Sequence, residues 1–137
     1  AGASQGLAEA IMAHLNPGDE AIIFDPGFLS YEPMIRIAGG HVRRIHLLEE
    51  NGFKPDIERI ESALTDKTRI MIINYPSNPT GVVFERDVLE GIAELAEDRG
   101  IIIISDEVYN RFMYDGKRHV SIASFNIAPI IASIPKR

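Results

Sequence analysis

Apolar residues recur along the chain with two different spacings. In residues 4–15 they include Leu7, Ile11 and Leu15, which are four positions apart and so share one face of an α-helix. Ser4 opens this stretch and is a candidate N-cap, because its hydroxyl can accept a hydrogen bond from a first-turn N–H group. The same spacing predicts further helices over residues 28–38, 55–64 and 85–99.

Short apolar runs lie between these helices and predict strands over residues 20–24, 41–47, 69–74 and 101–105. The fourth run begins with Ile at every position from 101 to 104. A strand without a polar face is typical of a parallel sheet that is covered by helices on both sides. The intervening helices supply the crossovers that parallel strands require. The pattern therefore predicts an α/β fold with an open, mainly parallel sheet and helices on both faces.

The composition is that of an ordinary globular domain. The chain has 137 residues, 45% hydrophobic and 25% charged, with a formal net charge of −6. The negative charge argues against nucleic acid or an anionic membrane as a partner, and no apolar run approaches the ~20 residues of a spanning helix. The lack of cysteine excludes disulfides, thiolate catalysis and cysteine-based zinc sites, and it fits the reducing cytoplasm that we predict as the location. The scattered histidines lack the spacing of metal ligands, so we predict no metal site.

Polar and aromatic residues follow three of the predicted strands. They occupy residues 25–31 after the first strand, 74–81 after the third and 106–109 after the fourth. In open α/β sheets, ligands bind beyond these carboxyl ends. Residues 2–6 lead into the first helix, whose N-terminus is a natural seat for a phosphate group. The sequence therefore predicts a ligand site at this edge of the sheet.

These segments resemble the fold-type I aminotransferases, the aspartate aminotransferase superfamily that uses pyridoxal 5′-phosphate. The resemblance extends in order from residue 1 to about residue 125 and implies a partial cofactor-binding large domain, with residues 126–137 as an atypical C-terminal tail. The segment 16–20 (NPGDE), followed by 26–28 (PGF), adds to the similarity. Three motifs carry it: Gly2-Ala3-Ser4-Gln5-Gly6, Ser77-Asn78-Pro79-Thr80-Gly81 and Asp106-Glu107-Val108-Tyr109.

The resemblance implies contacts to the cofactor ring from four side chains. Asp106 would pair with the protonated pyridine nitrogen, which makes the ring a better electron sink. Asn78 and Tyr109 would donate hydrogen bonds to the phenolic oxygen, and Phe28 would stack on the ring face. Purely structural interpretations remain open: a helix N-cap for Asp106, an Asx turn for Asn78, and core packing for the two aromatic residues.

The resemblance also implies a phosphate site and a lysine. Ala3, Ser4 and Gln5 would present backbone N–H groups to the phosphate, together with the Ser4 hydroxyl, although simple helix capping would use the same geometry. The family needs a lysine that bonds covalently to the cofactor and then moves the proton. Lys136 is the available catalytic candidate, although it comes slightly early and directly follows Pro135.

The implied reaction is amino-group transfer between an amino acid and a 2-oxo acid. The family's small domain, whose arginine binds the substrate carboxylate, has no counterpart in these residues, so we expect negligible transaminase activity from this chain alone. Three alternatives stay open: another fold-type I activity such as a lyase or synthase, a regulator's sensor domain, and a catalytically silent structural fragment. We also expect a homo-oligomer.

The family's sheet order implies an open edge beside the strand at residues 101–105. An uncovered edge exposes unpaired backbone groups and invites association with another chain. Residues 129–134 are apolar enough to form a short strand there, between Pro129 and Pro135. We therefore expect this edge to be covered either by the tail or by a partner.

Overall fold

The computed structural model describes residues 2–125 and 130–132. Two short 3₁₀ helices, Glu49–Asn51 and Ile122–Phe125, lie in the connections. The regular elements, in chain order, are α1 (Ala3–His14), β1 (Glu20–Asp25), α2 (Tyr31–Ile37), β2 (His41–His46), α3 (Ile57–Ala63), β3 (Thr68–Asn74), α4 (Arg86–Asp98), β4 (Ile102–Asp106) and β5 (Ile130–Ala132).

The strands form one sheet in the order β2-β1-β3-β4-β5. Every adjacent pair is parallel, which confirms the predicted α/β fold. The register of β3 and β4 pairs Asn74 with Asp106, so the two strands end side by side. The edge strand β5 pairs with β4, as Ile130 does with Ile103, and this confirms that the tail can cover the edge. The division into residues 1–125 and a tail of residues 126–137 stays a prediction, because residues 126–129 and 133–137 lie outside the described residues.

The continuous apolar strands are explained by two hydrophobic cores, one on each face of the sheet. Ile103 belongs to the core that α3 and α4 cover, whereas its neighbour Ile104 belongs to the core that α1 and α2 cover. Successive side chains of a strand point to opposite faces. Both faces must therefore be apolar, and the uninterrupted isoleucine run is the direct result.

The first helix begins one residue earlier than predicted, and the prediction that Ser4 is its N-cap is wrong. The N-cap is Gly2, whose extended backbone lets its carbonyl accept hydrogen bonds from the N–H groups of Gln5 and Gly6. Ser4 lies inside the first turn. A glycine ranks close to threonine at this position and needs no side-chain partner there.

The second helix begins later than predicted, at Tyr31 and not at Phe28. The preceding turn brings the backbone very close to the end of β1, since a Cβ added to Gly27 would lie 2.3 Å from the carbonyl oxygen of Phe24. Only glycine fits this approach. The turn leaves Phe28 outside the helix, with its ring packed edge-on against Tyr31 at 5.3 Å between ring centroids.

None of the helices in the described part of the chain is both long enough and apolar enough to cross a membrane.

Candidate functional site

A cavity of about 230 Å³ lies at the carboxyl ends of the strands, against the N-terminus of α1. It brings together every residue predicted to bind the cofactor except Gln5. Tyr31 and Asn74 also contribute to its wall; both belong to the segments predicted to form a ligand site, but the sequence assigns neither of them a specific contact. The full lining is Gly2, Ala3, Ser4, Leu7, Phe28, Tyr31, Asn74, Asn78, Asp106, Val108 and Tyr109.

Asp106 is the last residue of β4 and is only 5% exposed. The Tyr31 hydroxyl donates a 2.7 Å hydrogen bond to Oδ2 of this carboxylate, and the backbone N–H of Val108 lies 3.3 Å from Oδ1. No helix follows Asp106 within residues 107–121, so the N-cap interpretation is wrong. The carboxylate is instead held in a fixed orientation at the cavity wall.

Tyr31 is a neutral donor to this carboxylate. Burial raises the pKa of Tyr31 above its ordinary value, and the negative charge of Asp106 and the hydrogen bond to it raise that pKa further. The phenol therefore keeps its proton through the physiological pH range and holds one oxygen of Asp106. The sequence signal for this role is a tyrosine three positions after Phe28, in the segment that follows β1.

Asn74 connects three parts of the site. Its side-chain amide donates to the carbonyl oxygen of Asp106 at 2.9 Å, and its Oδ1 accepts from the backbone N–H of Asn78 at 2.7 Å. A single buried amide thus ties the end of β3 both to the end of β4 and to the loop that follows β3. The available signal was a polar residue that ends an otherwise apolar run.

The loop at residues 77–81 presents Asn78 to the cavity. The N–H of Gly81 donates to the carbonyl of Ser77 at 2.8 Å, and Gly81 has a φ of 72°, which favours glycine. Asn78 and Tyr109 line both this cavity and a neighbouring one of about 600 Å³, so they form the wall between the two.

The two predicted aromatic contacts are half-buried. Phe28 packs partly against the core that α1 and α2 cover. The ring of Tyr109 meets Phe112 edge-on, with 6.1 Å between their centroids. Each ring therefore has a packing role and also faces the cavity, so the core interpretation and the ligand interpretation are compatible.

The N-terminus of α1 supplies Ala3 and Ser4 to the cavity. The first N–H groups of a helix have no acceptor within the helix, so the backbone N–H groups of Ala3 and Ser4 can donate to a ligand. Gln5 lies apart from the cavity lining: its N–H donates to Gly2, and its side chain donates to Glu9 at 2.8 Å. Its predicted phosphate contact stays a prediction. Lys136, the predicted catalytic lysine, lies outside the described residues.

We expect stability to fall at alkaline pH because of Tyr31. The pKa of Tyr31 is higher in the folded state than in the unfolded chain, where tyrosines titrate near 10.0. The stabilisation is therefore complete below that pH and is lost above it, at up to about 1.4 kcal/mol per pH unit. Tyr31→Phe should flatten the dependence measured by urea unfolding between pH 8 and about 11. Tyr114→Phe is the matched control, because that ring is 72% exposed; equal slopes for the two variants would contradict this account.

Comparison with known proteins identifies a family. The sequence model described as "Aminotransferase class I and II" matches residues 1–134. An aspartate aminotransferase of Thermotoga maritima is 48% identical over 113 residues, which are 82% of this chain and 30% of that protein. An aspartate/prephenate aminotransferase of Thermus thermophilus is 42% identical over 116 residues, which are 85% of this chain and 30% of that protein.

The fold agrees with a solved member of the same family. A double mutant of Thermus thermophilus aspartate aminotransferase superposes with a TM-score of 0.92 at 40% identity, covering 96% of this chain and 34% of that one. The chain spans about 30% of the length of the curated relatives that it matches. The resemblance to the fold-type I aminotransferases is confirmed, and the chain belongs to the aminotransferase class I and II family.

Proposed function

We propose that this chain forms the cofactor-binding part of a pyridoxal 5′-phosphate-dependent aminotransferase, which transfers an amino group from an amino acid to a 2-oxo acid. The observation that carries the proposal is the buried, oriented carboxylate of Asp106 at the cavity wall. Family membership supports the same reaction.

The donor set of the cavity fits this cofactor. Asp106 contributes negative charge, and the N-terminus of α1 contributes a partial positive charge together with N–H donors. A ligand that carries a cationic ring nitrogen and a phosphate group matches both. Ala3 and Ser4 would hold the phosphate, and Asp106 would accept a hydrogen bond from the ring nitrogen.

When bound, pyridoxal 5′-phosphate supplies an electron sink for the carbanion that forms at the substrate's α-carbon. The task of Asp106 is to keep the proton on the ring nitrogen, and Tyr31 orients the carboxylate that does so. Asn78 and Tyr109 would donate hydrogen bonds to the phenolic oxygen, while Phe28 would cover one face of the ring.

We propose an amino acid and a 2-oxo acid as the substrates of the longer protein. Curated relatives named for aspartate make that amino acid the first donor to assay. We further propose that the longer protein is a cytoplasmic homo-oligomer. The net charge of −6 supports the proposal that neither nucleic acid nor an anionic membrane is its partner. Sedimentation of the longer protein that gives only monomer at micromolar concentration would contradict the proposed oligomer.

The cofactor proposal is tested by titrating the 137-residue chain with two phosphate esters. The first is pyridoxine 5′-phosphate, which has the ring nitrogen and phenolic oxygen but no aldehyde, and the second is phenyl phosphate, which lacks both groups. We expect phenyl phosphate to bind at least about tenfold more weakly, because it forfeits the charge-assisted hydrogen bond to Asp106. Equal affinities would show that the phosphate alone is held, and would overturn the proposal.

A parallel titration with pyridoxal 5′-phosphate followed by borohydride tests Lys136. Reduction makes a bond between the cofactor aldehyde and a lysine amine permanent, so peptide mapping identifies the lysine. We expect little labelling at Lys136, because it comes early and follows Pro135. Stoichiometric labelling there would establish residues 133–136 as the lysine motif.

A further inference from the structure

A second buried carboxylate, next in sequence to Asp106, has no place in the proposed cofactor contacts. Glu107 is 5% exposed. Its Oε1 accepts hydrogen bonds from the hydroxyls of Ser105 at 2.9 Å, Ser121 at 2.8 Å and Tyr75 at 3.2 Å. Its Oε2 lies 2.9 Å from Nε2 of His119. We call these five residues the Glu107 cluster.

The cluster ties the segment around residues 119–122 to the end of β3. The Tyr75 ring lies between two others: it stacks on Phe84 at 5.3 Å and on His119 at 5.1 Å between centroids. The Tyr75 hydroxyl also accepts a 2.8 Å hydrogen bond from the backbone N–H of Ile122. This hydroxyl is neutral, because burial and then the charge of Glu107 raise the pKa of Tyr75.

The segment between residues 107 and 119 is therefore held firmly at both ends and exposed in its middle. Phe112 and Tyr114 are 59% and 72% exposed, so the core does not immobilise that part. Near its beginning, the N–H of Asn110 donates to the carbonyl of Glu107, and the N–H of Phe112 donates to that of Tyr109. The backbone at Tyr109 thus follows from where Glu107 is held.

Stability alone does not account for this arrangement. Burying a carboxylate carries a desolvation cost. A protein with well-packed apolar residues in place of such buried charged groups is often equally stable or more stable. What the hydrogen bonds add is a fixed orientation of Glu107, because its donors come from three places: Ser105 on β4, Tyr75 directly after β3, and Ser121. The residue before it is Asp106, and Tyr109 follows two positions later.

We propose that Glu107 is a positioning residue for the cofactor site, which holds Asp106 and Tyr109 against the cavity through the Glu107 cluster. Glu107 is absent from the cavity lining, so its effect passes through those two side chains. This inference rests on the proposed function for its ligand, but the clamping of residues 107–119 can be measured without any ligand.

The central test is Glu107→Gln, which keeps the size of the side chain but replaces one acceptor oxygen with an NH₂ donor. We expect the affinity of the full chain for pyridoxal 5′-phosphate, measured by quenching of tyrosine emission, to fall about tenfold. In a background that carries both Asp106→Asn and Tyr109→Phe, the same change should alter affinity by less than about twofold, because Glu107 acts through these two side chains. Equal losses in the two backgrounds would mean that the effect is only a general loss of stability, and would overturn the proposal.

Amide hydrogen exchange supplies the ligand-free measurement. In Glu107→Gln, the amides of residues 108–112 should exchange at least about tenfold faster, while those of β1 keep their rates. Glu49→Gln is the matched control, since Glu49 is exposed on a short 3₁₀ helix away from the cavity. Unchanged exchange at residues 108–112 would overturn the clamp whether or not the chain binds the cofactor. Faster exchange in a chain that binds no cofactor would support the clamp and count against the proposed function alone.

A pair of variants at Ser121 covers the case in which Glu107→Gln fails to fold. Ser121→Ala removes one of the hydroxyl donors and leaves the carboxylate in place. It should accelerate exchange at residues 108–112, whereas Ser121→Thr, which restores a hydroxyl, should return it toward the parent rate. Equal exchange rates at residues 108–112 in the two variants would contradict the proposal that the Ser121 hydroxyl helps to hold Glu107.

Discussion

Asp106→Asn is expected to lower the affinity of this chain for pyridoxal 5′-phosphate by about 100-fold. The substitution preserves the shape of the side chain and an oxygen that can accept from Tyr31. It removes the negative charge opposite the ring nitrogen in a site where Asp106 is only 5% exposed. Losing one partner of a buried charge pair costs about 2–5 kcal/mol, and 100-fold corresponds to about 2.7 kcal/mol.

Asp98→Asn is the matched control for this measurement. Asp98 lies on the exposed face at the end of α4, so it loses the same charge without touching the cavity. Affinity should be read from quenching of tyrosine emission, and urea unfolding should confirm that both variants remain folded. A similar, small loss of affinity in the two variants would show that Asp106 has no specific contact with the ring.

Ile104→Ala is expected to reduce the free energy of unfolding by about 2–5 kcal/mol. Ile104 is completely buried in β4, within the core that α1 and α2 cover. The lost methyl groups leave a cavity between the sheet and helices that cannot collapse freely, because strands on both sides hold β4 in place. Chemical denaturation with a common slope for both proteins gives the difference directly.

Ile37→Ala provides the comparison, since Ile37 is 78% exposed at the end of α2. Its removal should change stability by less than about 0.5 kcal/mol. If Ile104→Ala cost no more than this surface variant, the two-core arrangement of the sheet would be wrong.

The elements were predictable from the sequence because their causes are local. The strand predicted over residues 101–105 is found at Ile102–Asp106, and the helix predicted over residues 85–99 is found at Arg86–Asp98. In both cases, the positions of apolar residues along a few turns or a few pleats decide the conformation. The starts of α1 and α2 were less predictable, because backbone contacts at Gly2 and Gly27 decided them.

Most of the candidate site was also predictable. Residues at the carboxyl ends of parallel strands reach the same edge of a sheet, so Asn78, Asp106 and Tyr109 had to lie near one another once the strand order was known. Gln5 shows the limit of this reasoning. Its place in a motif did not reveal that its N–H group donates to the carbonyl of Gly2.

By itself, the sequence determined the alternation of helices and strands, the parallel sheet and the family, because each depends on periodicity or on contiguous motifs. Only the tertiary structure decided which side chains orient the site. Tyr31 meets Asp106 across 75 positions of the chain, and the hydrogen-bond partners of Glu107 come from β4, from the residue after β3 and from the segment near residue 121. A hydrogen bond requires its donor and acceptor to be placed to within a few tenths of an ångström and to point toward each other. Between segments that are distant in the sequence, only the packing of the sheet and helices fixes that placement.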